Sequence, residues 1–178
     1  MDSIQENQPE DIKADLNATA AGEKIKKLAE DAENCFFCTS NSGGETRGVR
    51  PMNIRKADEA GNLWFLSASD SHKNQEVEAD SQARIFLQAT KQSGFIFLDG
   101  TATVSRDRQA IEDLWDPVLK TWFTEGQDDP RITVIKFVPD AGYYWDNKHG
   151  NFVAATKMLI GAAVGKTLDD SVEGRLRP

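Results

Sequence analysis

"LWFLSASDSHKNQEVEAD", residues 63–80, changes character half-way along. Leu63 to Leu66 form a short apolar, aromatic-rich run that reads as a strand. Ser67, Ser69, Ser71, His72 and Lys73 follow at once, with Asp70 the one acid among them. From His72 onward the residues suit a short helix, and Ser71 fits its N-cap. The strand therefore delivers hydroxyls, positive donors and the free N–H groups of a helix start to one place. That set suits a phosphate monoester, which carries about −1.5 to −2 charges near neutral pH and three acceptor oxygens. The same residues also serve a capped helix with a solvated lysine, and this stretch alone leaves both readings open.

Working outward, short strands and tight turns dominate. Upstream, "CFFCTS" and "TRGVRPMNIRK" flank the turn composition "NSGG", which predicts a hairpin, and "EAGN" makes the turn into the strand at 63. Downstream, "ARIFLQA" and "FIFLDGTATVS" pair across "TKQSG", and "RITVIKFV" and "AGYYWD" supply two more strands separated by Pro139. Six or seven antiparallel strands with hairpin connections favour a barrel over a doubly wound parallel sheet, which needs a crossover helix after nearly every strand. The expected fold class is mainly β with flanking helices.

Helical spacing occurs on either side of these strands. "GEKIKKLAEDA" places Ile25, Leu28, Ala29 and Ala32 on one face. "SRDRQAIEDLWDPVLKTWF" does the same with Ile111, Leu114, Trp115, Val118 and Leu119, and Pro117 is expected to kink or divide that helix. Residues 1–18 read as a disordered acidic tail, 19–160 as the folded domain and 161–178 as a C-terminal tail, with a short helix expected at about 152–160.

Composition narrows the function classes. The 178 residues, 39% hydrophobic and 28% charged, suit one soluble globular domain. A formal net charge of −8 argues against an electrostatic grip on nucleic acid or anionic lipid. No apolar run reaches the ~20 residues of a membrane span, and the acidic N-terminus lacks the segments of a secretory signal, so a cytoplasmic location is expected. Cys35 and Cys38 form a C-x-x-C pair, but residues three apart in a strand point to opposite faces. Thiols so placed share neither a disulfide nor a metal, and core packing is the expected role. No metal site is expected. No Ser-His-Asp arrangement or acid–base carboxylate pair is visible, so hydrolysis has no support.

A second feature bears on the phosphate reading. "VRPMNIR", residues 49–55, sets a proline inside a strand pattern, which a sheet tolerates only at an edge or bulge. Arg50 and Met52 then share one side. A planar cation beside a polarisable side chain suits a flat, electron-poor heteroaromatic ring.

Together "FFCTS…GVRPM", "LWFLSASDSHKNQEVEADSQARI", "GTATVSRD…IEDLW" and "YYWD" resemble, in order and spacing, the general stress protein 26 branch of the pyridoxamine 5′-phosphate oxidase family. The resemblance covers roughly residues 20–160. It implies an FMN-binding split β-barrel, usually a homodimer with flavins in clefts between subunits. By the same resemblance, Arg50, Pro51 and Met52 match the strand lining the flavin ring, and Ser67 a small hydroxyl residue beside the ribityl-phosphate. Ser71, His72 and Lys73 match the family's Ser-Arg-Lys phosphate triplet, with His72 where arginine is common. Trp145 matches an aromatic that approaches the flavin cleft.

The chain departs from the oxidases proper after Trp145. They continue into an Arg-x-His unit that grips the vitamin B6 substrate, whereas this chain reads "WDNKHGNFVAA" and has no arginine until Arg175. The implied function is an FMN-dependent oxidoreductase on an unidentified small molecule, without the B6 site. A non-enzymatic FMN-storing or FMN-sensing protein requires the same contacts and stays open beside it. A haem protein would need an axial ligand, for which only His72 and His149 are available.

Overall fold

The computed structural model describes residues 12–40, 46–89, 94–148 and 170–178. Its strands form one nine-stranded sheet in the order β1-β9-β8-β7-β6-β2-β3, with β5 also on β8 and β4 beyond it. The long central strands are β7 (Phe95–Ser105) and β8 (Ile132–Asn147), which pair antiparallel along the whole of β7, from Phe95 opposite Trp145 to Ser105 opposite Val134. Beside β7 come β6 (Gln82–Gln88), β2 (Asn34–Thr39) and, at the sheet's end, β3 (Val49–Asn53). The other edge of β8 is shared. Its first half carries β5 (Leu63–Ala68), itself paired with β4 (Lys56–Ala57), and its second half carries β9 (Ser171–Arg177).

Alternation along these strands sorts residues between two faces. β6 reads exposed–buried throughout, placing Ala83, Ile85 and Leu87 inward. Helix α1 (Ala18–Ala32) lays Ile25, Leu28 and Ala29 onto that inner face, in one cluster with Phe37, Phe65, Leu98 and Phe137. Phe37 and Phe65 meet edge-on at 5.6 Å. A second cluster lies under α3 (Arg108–Leu114), where Ile111, Leu114 and Phe123 cover Ile132 and Val134.

Proline placement follows its missing N–H. Pro51 sits in β3, an end strand of the sheet, as the sequence pattern requires. Pro117 divides the expected long helix: α3 stops at Leu114, and Pro117 opens a 3₁₀ segment, Pro117–Thr121, capped by the Asp116 carboxylate. Pro139 does not separate two strands as expected. It lies within the single strand β8, opposite Gly100, where the register with β7 shifts and no ladder donor is required.

The chain ends also differ from expectation. Leu16–Asn17 and Ser171–Arg177, expected in tails, are strands: β1 (Leu16–Asn17) runs parallel to β9, and Lys13 adds an isolated bridge to Glu173. Together with β4, these short strands take the count beyond the expected six or seven. Gly174 makes the pairing possible, because a side chain there would run into the Ala14 carbonyl. The Tyr144 hydroxyl donates to that same carbonyl at 2.7 Å. The expected helix at 152–160 and His149 lie outside the described residues.

Candidate functional site

The junction between β5 and helix α2 (His72–Ala79) gathers most of the phosphate-binding candidates. Ser71 is the N-cap residue, in extended conformation, but its hydroxyl makes no capping bond to the backbone. It lies 3.2 Å from the Ser67 hydroxyl, and both serines donate to the Asn74 carbonyl oxygen Oδ1, at 2.8 Å from Ser67 and 3.2 Å from Ser71. His72 begins the helix with an exposed side chain.

Lys73 is half-buried beside them. Burial holds its ammonium below the ordinary lysine range. The Arg50 guanidinium pushes the same way, while the Asp70 and Glu76 carboxylates oppose it. Arg50 reaches this cluster from β3. Its Nη1 pairs with Glu76 Oε2 at 2.5 Å, and Thr39 Oγ1 donates to the same carboxylate oxygen at 2.7 Å. The cluster thus brings the cations Lys73 and Arg50, the latter paired with Glu76, beside the Ser67 and Ser71 hydroxyls and a helix start. A cleft of about 530 Å³, lined by Ser40, His72, Gln75 and Glu76, opens beside it. The donors suit an anionic oxygen cluster such as a phosphate monoester.

The remaining candidates lie elsewhere. Met52 shares Arg50's side of β3, as the alternation requires, but is a core residue at 8% exposure. Pro51 is on the opposite face, in register with Phe36. Trp145 is also on that outer face, 39% exposed, in register with Phe95 on β7. Pro51 and Trp145 line one apolar cleft of about 600 Å³ with Phe36, Phe86, Phe95 and Phe97. Within one chain the structure therefore does not bring Trp145 to the cluster at the start of α2. The outer face carries a row across five strands, in register throughout, in which Pro51 is followed by the aromatic residues Phe36, Phe86, Phe97 and Tyr143.

Four residues of the cluster escaped the sequence reading: Thr39, Asn74, Glu76 and Thr133. Asn74 stands one turn into the helix from Ser71, a spacing that could have drawn attention to it. Thr133, on β8, bonds both Asn74 and the Ser67 carbonyl, and nothing local marks it. The cysteines follow the strand geometry. Cys35 is buried and Cys38 lies on the other face, both as free thiols, and burial pushes the Cys35 thiol up to about 12.

Residues 20–169 match the family described as pyridoxamine 5′-phosphate oxidase like. The chain belongs to this family. A Neurospora crassa relative, protein bli-3, is 26% identical over 107 residues, which make up 56% of this chain and 47% of that one. The chain therefore spans about half the length of the curated relative it matches. Among solved structures, a general stress protein 26 assignment from Jannaschia sp. CCS1 superposes with a TM-score of 0.74 at 23% identity, covering 89% of this chain and 98% of that one. The general stress FMN/FAD binding protein of Xanthomonas citri gives 0.60 at 19% identity, covering 71% and 87%. At these identities the likeness is one of fold, the split β-barrel.

Proposed function

We propose that this protein binds FMN at an interface between two copies of itself and acts as an oxidoreductase on a small molecule in the cytoplasm. The observation that carries the reading is the convergence of Ser71, Lys73 and Arg50 at the start of α2, with Ser67 directly behind and His72 at the rim. Family membership supports it, as do relatives whose names record FMN binding. Bound FMN supplies the electron transfer; the chain's own residues bind and orient it. Lys73, Arg50 and the helix N–H groups hold the phosphate end, while Ser71 adds a hydroxyl. Pro51 and Trp145 belong to the aromatic face, so in this reading Trp145 approaches the flavin held by the partner copy. No helix among the described residues is long and apolar enough to cross a membrane.

The test is a pair of titrations at fixed salt. Lys73→Ala should weaken FMN by roughly 10- to 150-fold, the effect of losing about 1.5–3 kcal/mol from a charge-assisted bond. Riboflavin, which lacks the phosphate, should bind the variant nearly as it binds the wild type. Equal behaviour of both ligands on both proteins would remove the phosphate reading. Reduction by NADH or NADPH, measured against free FMN, then separates catalysis from storage.

A further inference from the structure

We infer that Asn74 is a positioning residue that divides the two serines, holding Ser67 inward and leaving Ser71 as the hydroxyl that donates to the phosphate. The inference rests on the phosphate reading above and adds a division of labour to it. A hydroxyl has one proton to give. Thr133 gives its proton to the Ser67 carbonyl at 3.0 Å, so the atom facing Thr133 Oγ1 has to be a donor. That donor is Asn74 Nδ2, at 2.8 Å. The amide orientation is thereby fixed, and Oδ1 turns to the serines.

Both serines then direct their protons at one acceptor, and the two are unequal. Ser67 is 3% exposed and makes the shorter bond, beneath the half-buried Ser71. If Ser71 rotates toward an incoming phosphate, Ser67 still satisfies Oδ1, and no buried polar atom is orphaned. If Ser67 rotated instead, its hydroxyl would leave a buried bond and meet Ser71 before any ligand. Asn74 and Thr133, at 1% and 2% exposure, have no solvent to replace a lost partner.

Asn74→Asp tests the device with little change of shape. A carboxylate only accepts, so it keeps both serine protons inward and places a negative charge beside the phosphate. FMN and riboflavin are titrated against the full chain and its Lys73→Ala, Ser71→Ala, Ser67→Ala and Asn74→Asp variants, with thermal unfolding followed in parallel. Ser71→Ala and Asn74→Asp should each cut the FMN-over-riboflavin preference by about tenfold or more. Ser67→Ala should lower the melting temperature and weaken both flavins in proportion, leaving the preference within about twofold. If Asn74→Asp fails to fold, the contrast between the two serine variants decides alone. If Lys73→Ala cuts the preference but Ser71→Ala does not, or Ser67→Ala cuts it equally, the division of labour is overturned and the phosphate site stands. If Lys73→Ala leaves the preference intact, both fall.

Discussion

Lys73 sits in conflict with its surroundings. Its pKa is lowered, first by burial and then by Arg50, from the ordinary 10.5. Between the folded value and 10.5 the unfolded chain binds more protons, so this lysine's contribution to stability rises with pH across that window. A phosphate dianion reverses the preference and favours the ammonium. FMN binding should therefore take up a proton, and affinity should fall with rising pH before an ordinary lysine would titrate. Lys73→Arg should abolish that fall, since a guanidinium stays charged. FMN titrations from pH 7 to 10, with riboflavin as the reference, check this; identical pH profiles for wild type and variant would refute it. A second expectation concerns the segment after Trp145. With no arginine there until Arg175, which pairs instead with Tyr143 in the sheet, pyridoxine and pyridoxamine 5′-phosphates should be poor substrates. A direct assay of pyridoxal phosphate formation giving about 10⁴ M⁻¹s⁻¹ or more would contradict this.

At the scale of elements, β9 shows how one missing Cβ admits a whole strand. Gly174 lets the backbone at Ala14 lie against β9, and that segment is then held by Ala14 N–H to the Glu173 carbonyl and Glu173 N–H to the Ile12 carbonyl, both at 2.8 Å. Gly174→Ala would force backbone against a methyl group, an overpacking cost of about 1–3 kcal/mol. For a chain of this size that should lower the melting temperature by roughly 2–4 °C per kcal/mol. An unchanged melting temperature, with unchanged proteolysis of the first residues, would show the pairing to be dispensable. Sequence polarity concealed this element: residues 12–17 and 171–177 lack strong periodicity, and their pairing joins the two ends of the chain. By contrast α1, α2 and the β2–β3 and β6–β7 pairings were legible, because apolar period and turn composition act locally.

For the whole molecule, the question is which surface meets a second copy. The apolar face around α3 is largely used within the chain: Leu114 is 4% exposed and packs with Phe123 and Ile132, though Val118 and Trp122 stay exposed. The outer sheet face is the better candidate, with Phe36 at 55%, Phe86 at 43% and Phe95 at 46% exposure around the apolar cleft. The wild type should sediment as a dimer, and Phe36→Glu with Phe86→Glu should yield a monomer of 19.7 kDa that binds FMN more weakly. A monomeric wild type retaining tight FMN would refute the arrangement.

Local sequence was enough for the mainly β class, the strand-to-helix junction at residues 63–80, the shared side of Arg50 and Met52 and the opposed cysteines. Each depends on period, capping or turn chemistry acting over a few residues. The remaining features came from the folded chain. It buried Met52, gave Arg50 its carboxylate partner 26 residues away, joined Asn74 to Thr133 across 59 and tied Tyr144 to Ala14 across 130. Such contacts depend on strand order and register, and many sequences with the same local pattern would satisfy them with different partners.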